Sequence, residues 1–135
     1  MNEAPQVGTW RNADFSQWNT INLPGPQTGL MIGNQDWVFW NYKTKRLMLC
    51  EEKCFGKFIN ENEWQFKFFR DVIDPALTAY CSVPQFLKQA GSTCKITYLG
   101  YHYITFENTS PDNGRIWFDN VEISKEDLIR KLSLE

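Results

Sequence analysis

The sequence predicts an α/β domain in which a mixed β-sheet is flanked by helices. Two observations lead there. Runs rich in aromatic and β-branched residues lie near 37–52 and 95–123, and segments with helical spacing precede, separate and follow them. At 135 residues and 15.9 kDa, the chain is expected to form one domain over 1–135.

The first element is "ADFSQWNTI", a short helix with Asp14 as N-cap and Phe15 and Trp18 on one face. "LPGPQTG" then forces a loop. "WVFW", Trp37 to Trp40, favours a strand, "NYKTK" supplies a turn, and "RLMLCEE" is the return strand, central because it is apolar on both faces. Trp64, Phe68, Phe69, Val72, Ile73, Ala76, Leu77 and Tyr80 recur at helical spacing. Pro75 should kink this helix or restart it from Asp74. "SVPQFLKQAGST" reads either as a short helix or as irregular chain. "CKITYLGYHYITFEN" is β-prone and broken at Gly100, and "RIWFDNVEI" turns at Asp119 and Asn120. Ser124 caps a last helix with Asp127 three residues on, and Leu128, Ile129 and Leu132 are expected inward.

Aromatic residues make up 16% of the chain, which needs a packed core; Trp37, Phe39, Trp40, Phe66, Phe68, Phe69, Trp117 and Phe118 are expected mostly in it. No apolar run approaches the roughly 18 residues of a membrane span. The start, "MNEAPQVGTWRN", lacks a basic region followed by an apolar stretch, so no signal peptide is expected and a cytoplasmic location is. Cys50 and Cys54 have a loose metal-ligand spacing, but no Cys-x-x-Cys occurs and the single histidine, His102, is distant in sequence. The four cysteines are therefore read as small buried thiols. A net charge of −2 argues against tight nonspecific binding to nucleic acid, yet not against an enzyme with a local basic patch and a divalent metal.

The chemistry concentrates in "GNQDWVFWNYKTKRLMLCEEKC". Alternation puts Leu47, Leu49, Glu51 and Lys53 on one strand face and turns Glu52 away. Pairing across the turn brings Asp36 to the same sheet end as Glu51. Two carboxylates held close repel, and a hard cation such as Mg²⁺ relieves this. Lys53 beside them can orient a water and steady charge on a phosphate. The basic turn, with Lys43, Lys45 and Arg46, reads either as a solvated turn or as a phosphate-contacting loop beside the metal site. The plainer alternative is a surface ion pair on an ordinary hairpin, worth about 0–1 kcal/mol.

Asp36, then about fourteen residues, then Glu51-x-Lys53 resembles the PD-(D/E)xK nuclease superfamily. Gln65, four residues before Phe69, is similar to the Gln-x-x-x-Tyr helix motif of its exonuclease-like branches, with Phe in place of Tyr. In broad form the chain also resembles small phage and archaeal nucleases of the Holliday-junction-resolvase type. The motifs span about residues 30 to 70. The resemblance implies a restriction-endonuclease-like core and Mg²⁺- or Mn²⁺-dependent endo- or exonuclease activity. The partner is expected to be nucleic acid, DNA first, met in a host cytoplasm if the chain is phage-encoded and with room for a homodimer. It implies Asp36 and Glu51 as metal ligands with the Glu52 carbonyl as a third, Lys53 positioning water, and Gln65 supporting the site or touching the backbone phosphate. The sequence departs from the pattern in having Gln35 rather than Pro before Asp36, and only Glu3 or Asp14 as candidates for an acid on the first helix. The competing class is a non-catalytic binder: an immunity protein, a phage-encoded inhibitor, or a degenerate nuclease fold that recognises DNA.

Overall fold

Strand pairing organises the chain around one central strand. The structure, a computed structural model, describes residues 14–28, 31 and 36–135. The chain groups into two compact units, Met1–Asn34 and Gln35–Glu135. In the first, the described elements are helix α1 (Asp14–Asn22) and a 3₁₀ turn at Pro26–Thr28. Glu3 lies outside the described residues.

The second unit begins with a hairpin of β1 (Trp37–Asn41) and β2 (Arg46–Lys53). Its turn is made locally: the Asn41 side-chain oxygen accepts the N–H groups of Lys43 and Thr44, and Lys45 adopts φ 58° to close it. A five-stranded sheet follows in the order β1-β2-β5-β6-β7, with β5 (Thr97–Phe106), β6 (Ile116–Phe118) and β7 (Val121–Ile123). β2 is parallel to β5, and the other neighbours are antiparallel. β2 is thus interior, as its apolar faces require; Met48 to Glu51 are buried in succession. The β2–β5 register slips between Leu47 and Leu49, which pair with Tyr98 and Tyr101. The extra residue of β5 falls at Leu99–Gly100, and Gly100 takes φ +100°, which suits a residue without Cβ.

Between β2 and β5 runs a helical segment: α2 (Trp64–Phe68), a π turn at Phe69–Ile73, and α3 (Asp74–Cys81). The expected break at Pro75 takes another form. The helical backbone continues through Asp74, with φ −60° and ψ −49°, and the wide π turn ahead of Pro75 accommodates its missing N–H and bulky ring. Phe66 and Phe69 pack their rings on Tyr101 at 6.2 and 5.1 Å, and Phe66 also meets Tyr103. The Tyr98 hydroxyl donates to Asp74 at 2.8 Å. These contacts seat the helix on the sheet face that carries Glu51. The segment left open in the sequence forms a separate two-stranded hairpin, β3 (Gln85–Leu87) with β4 (Ser92–Cys94).

The opposite sheet face holds the core: Met48, Cys50, Ile104, Phe106, Ile116 and Phe118, covered by Leu128 and Leu134. Asp119 and Asn120, at φ 50° and 67°, turn β6 into β7 as expected. Ser124 caps α4 (Lys125–Ser133), accepting the Asp127 N–H at 3.1 Å. Leu128 is inward, but Ile129 is 59% exposed, because only one stripe of so short a helix meets the sheet. The expectation of buried aromatics also needs correction. Phe118 is in the core, while Trp37 (51%), Trp40 (39%) and Phe68 (43%) are exposed, the two tryptophans on an edge strand. All four cysteines are reduced; Cys50 and Cys81 are buried and the other two half-buried.

His102 sits on the core-side face, away from the acids. Its Nδ1 lies 2.6 Å from an Asp119 carboxylate oxygen and its Nε2 2.6 Å from the Leu99 carbonyl. The Leu99 carbonyl can only accept, so Nε2 donates to it, and the facing Asp119 carboxylate favours a second proton, on Nδ1, which gives the ring its positive charge. Burial opposes that charge, but the Asp119 hydrogen bond and the Leu99 carbonyl outweigh it and Lys131 only weakens the effect, so the pKa is raised. The stability this contributes is complete below the ordinary value of 6.5 and is lost as pH rises through the higher folded value. His102 is the single histidine, so its NMR titration is unambiguous. We expect a midpoint above 6.5 in the native protein and a lower one in Asp119→Asn; equal midpoints would refute the clamp.

Candidate functional site

Trp37 pairs with Cys50, so the next residues outward, Asp36 and Glu51, face each other at the open end of the hairpin. Asp36 Oδ2 accepts the Glu52 backbone N–H at 2.9 Å, which fixes that carboxylate against the strand. Glu51 is only 6% exposed. Gln65 Nε2, on the first turn of α2, donates to Glu51 Oε1 at 3.2 Å. Burial pushes the Glu51 carboxyl up, the close Asp36 carboxylate pushes it further, and Gln65 and Lys53 oppose only in part, so Glu51 titrates at about 8. A glutamate that keeps its proton at neutral pH beside a second acid is a frequent mark of a functional site.

Lys53 lies two residues beyond Glu51, and its ammonium approaches Glu63 Oε2 at 3.7 Å. Asp36, Glu51, Lys53 and Gln65 thus gather at one end of one sheet face. Glu52 does not join them as a side chain. It accepts the Trp37 indole N–H at 3.3 Å and lies near Cys54, on the other side of the strand. Among the described residues, no group of three or more His, Cys, Asp and Glu side chains is arranged to hold a metal ion. The protein's own donors here are the Asp36–Glu51 pair and the nearby backbone carbonyls.

The basic turn stands elsewhere. Asn41 pairs with Arg46 at the far end of the hairpin from Asp36 and Glu51. Five strand residues at about 3.3 Å each put roughly 15 Å between the turn and the acids. Lys45 donates to the Tyr42 carbonyl, Arg46 to the Glu135 carbonyl, and Lys43 sits over the Tyr42 ring. Lys43, Lys45 and Arg46 therefore do not flank the acid pair. Glu107, just past the end of β5, is bound to Arg115 at 2.9 Å and lies outside this group.

Two residues at the site escape sequence reasoning. Glu63, just before α2, holds Lys53. Tyr101, on β5, has a buried hydroxyl in the field of Glu51 and Asp36, which together with burial raises the phenol's pKa. Among the described residues, that hydroxyl lies close to Glu51 but forms no hydrogen bond of good geometry. The signal for Tyr101 was the glycine at 100, which marks the bulge that sets its register against β2.

Fold and site together define an α/β domain with a mixed sheet and a carboxylate pair where its two parallel strands end. No family model and no solved structure matches the chain. It is 31% identical over 107 residues to an uncharacterized protein of Archaeoglobus fulgidus, a match that covers 77% of this chain and 70% of that one. The chain belongs to the same family as this archaeal protein. No helix among the described residues is long and apolar enough to cross a membrane.

Proposed function

We propose that this protein is a metal-dependent nuclease that hydrolyses phosphodiester bonds of nucleic acid, with Asp36 and Glu51 holding Mg²⁺ or Mn²⁺. The observation that carries this reading is the convergence of Asp36, Glu51 and Gln65 at one end of the sheet with Lys53 on the same face. The donor set suits the ion. Mg²⁺ commonly takes one or two carboxylates and completes its shell with water and substrate phosphate. When bound, it supplies Lewis-acid polarisation of the phosphate and makes a coordinated water more acidic.

The chain's residues do the rest. Gln65 fixes the orientation of Glu51, and the Glu52 N–H fixes Asp36. The Glu52 carbonyl is a further candidate ligand. Lys53, steadied by Glu63, orients the attacking water and meets negative charge growing on the phosphate. The order of a hairpin bearing the acids, a helix, then a strand parallel to β2 supports the finer reading of a restriction-endonuclease-like core. DNA is the expected substrate.

Labelled duplex DNA, single-stranded DNA and RNA, incubated with Mn²⁺ or with chelator, test the proposal. Cleavage that needs the cation and disappears in Asp36→Asn is expected. Intact substrates in all arms, with no cation binding, would refute it. One observation favours a second reading, a non-catalytic protein binder: Trp37, Val38 and Trp40 expose an apolar strand at the sheet edge. That reading expects a partner whose affinity is indifferent to Asp36→Asn.

A further inference from the structure

We infer that Tyr101 is a positioning residue for the acid pair, its phenol donating a hydrogen bond to the Glu51 carboxylate when a divalent cation is held there. The inference rests on the cation site proposed above and adds a member to it. Tyr101 stands on β5 opposite Leu49, two residues before Glu51 on the same face of β2. Its ring is fixed between Phe66 and Phe69 at 6.2 and 5.1 Å. Its hydroxyl is buried next to Glu51 and, among the described residues, has no partner of good geometry.

A buried hydroxyl without a partner destabilises a fold, and phenylalanine would fill the same space without that penalty. Packing therefore does not account for the oxygen. Carboxylates that bind metals are themselves held by hydrogen bonds, which orient them and tune their donor strength. Gln65 supplies one such bond to Glu51 Oε1. A small shift of the Glu51 carboxylate on taking up a cation would bring it into line for a second, from the Tyr101 phenol, whose ring stays packed against Phe66 and Phe69.

Tyr101→Phe in the full chain tests this through two measurements with opposite signs. One is the melting temperature without cation; the other is Mn²⁺ affinity by calorimetry. We expect an unchanged or higher melting temperature and Mn²⁺ binding weakened by about tenfold or more. Equal affinity in variant and parent would overturn the role of Tyr101 while leaving the cation site standing. So would a lower melting temperature with affinity retained, which marks a packing residue. A parent protein that binds no Mn²⁺ would overturn the cation site, and this inference with it.

Discussion

Glu51→Gln is expected to stabilise the cation-free protein by about 4 kcal/mol near pH 9 and to change it by less than about 1 kcal/mol near pH 4.5. Folding raises this carboxyl from 4.5 to about 8. Between those values the folded state holds a proton that the unfolded state has released. Native stability from this group is therefore complete below 4.5, falls as pH rises, and is lost above about 8, where a buried charge faces Asp36. Glutamine keeps the shape and the contact to Gln65 and removes that charge. Urea unfolding at the two pH values measures the effect, and parallel losses of stability in variant and parent would refute it. Under the proposed function, Mn²⁺ stabilises the parent at pH 9 in proportion to its binding and leaves Glu51→Gln nearly unaffected.

Lys53→Ala is expected to lower cation-dependent cleavage by about 10²–10⁴-fold, the range of a positioned acid–base group, while the fold stays intact. The Lys53 side chain is 31% exposed, and its ion pair with Glu63, at 3.7 Å, is long. Such a pair contributes about 0–1 kcal/mol, so unfolding midpoints should nearly coincide. Mn²⁺ affinity should also persist, because a cationic side chain is no ligand. Cleavage unaffected by Lys53→Ala would remove the lysine from the mechanism even if the acid pair held its cation.

What could be read from the chain was local. The hairpin at Asn41–Lys45, the turn at Asp119–Asn120 and the Ser124 cap each rest on a few adjacent residues, and each forms as expected. So does the meeting of Asp36 with Glu51, which follows from a turn of known length and the alternation of strands. The β3–β4 hairpin carries too few apolar residues to announce itself. The π turn depends on Pro75 being accommodated within a helix already held by Phe66, Phe69 and Asp74. Tyr101 was hidden for a different reason: its place beside Glu51 depends on a parallel pairing between distant segments and on one inserted residue. The basic turn was misplaced because its closeness in sequence to the acids is undone by the length of the hairpin that separates them.

Strand β2 divides its duties by parity. Met48 and Cys50 face the core with Ile104 and Phe118, whereas Leu49, Glu51 and Lys53 belong to the helix-side face. Natural variation can therefore rewrite the odd positions of β2, along with Asp36, Gln65 and Tyr101, without disturbing what the even positions bury. Exchanges at Met48 and at Lys53, on opposite faces and five positions apart, should combine almost additively. A lineage built on this strand could lose or retune its chemistry and keep its architecture, and relatives with an intact fold but an altered acid pair would be the trace of that freedom.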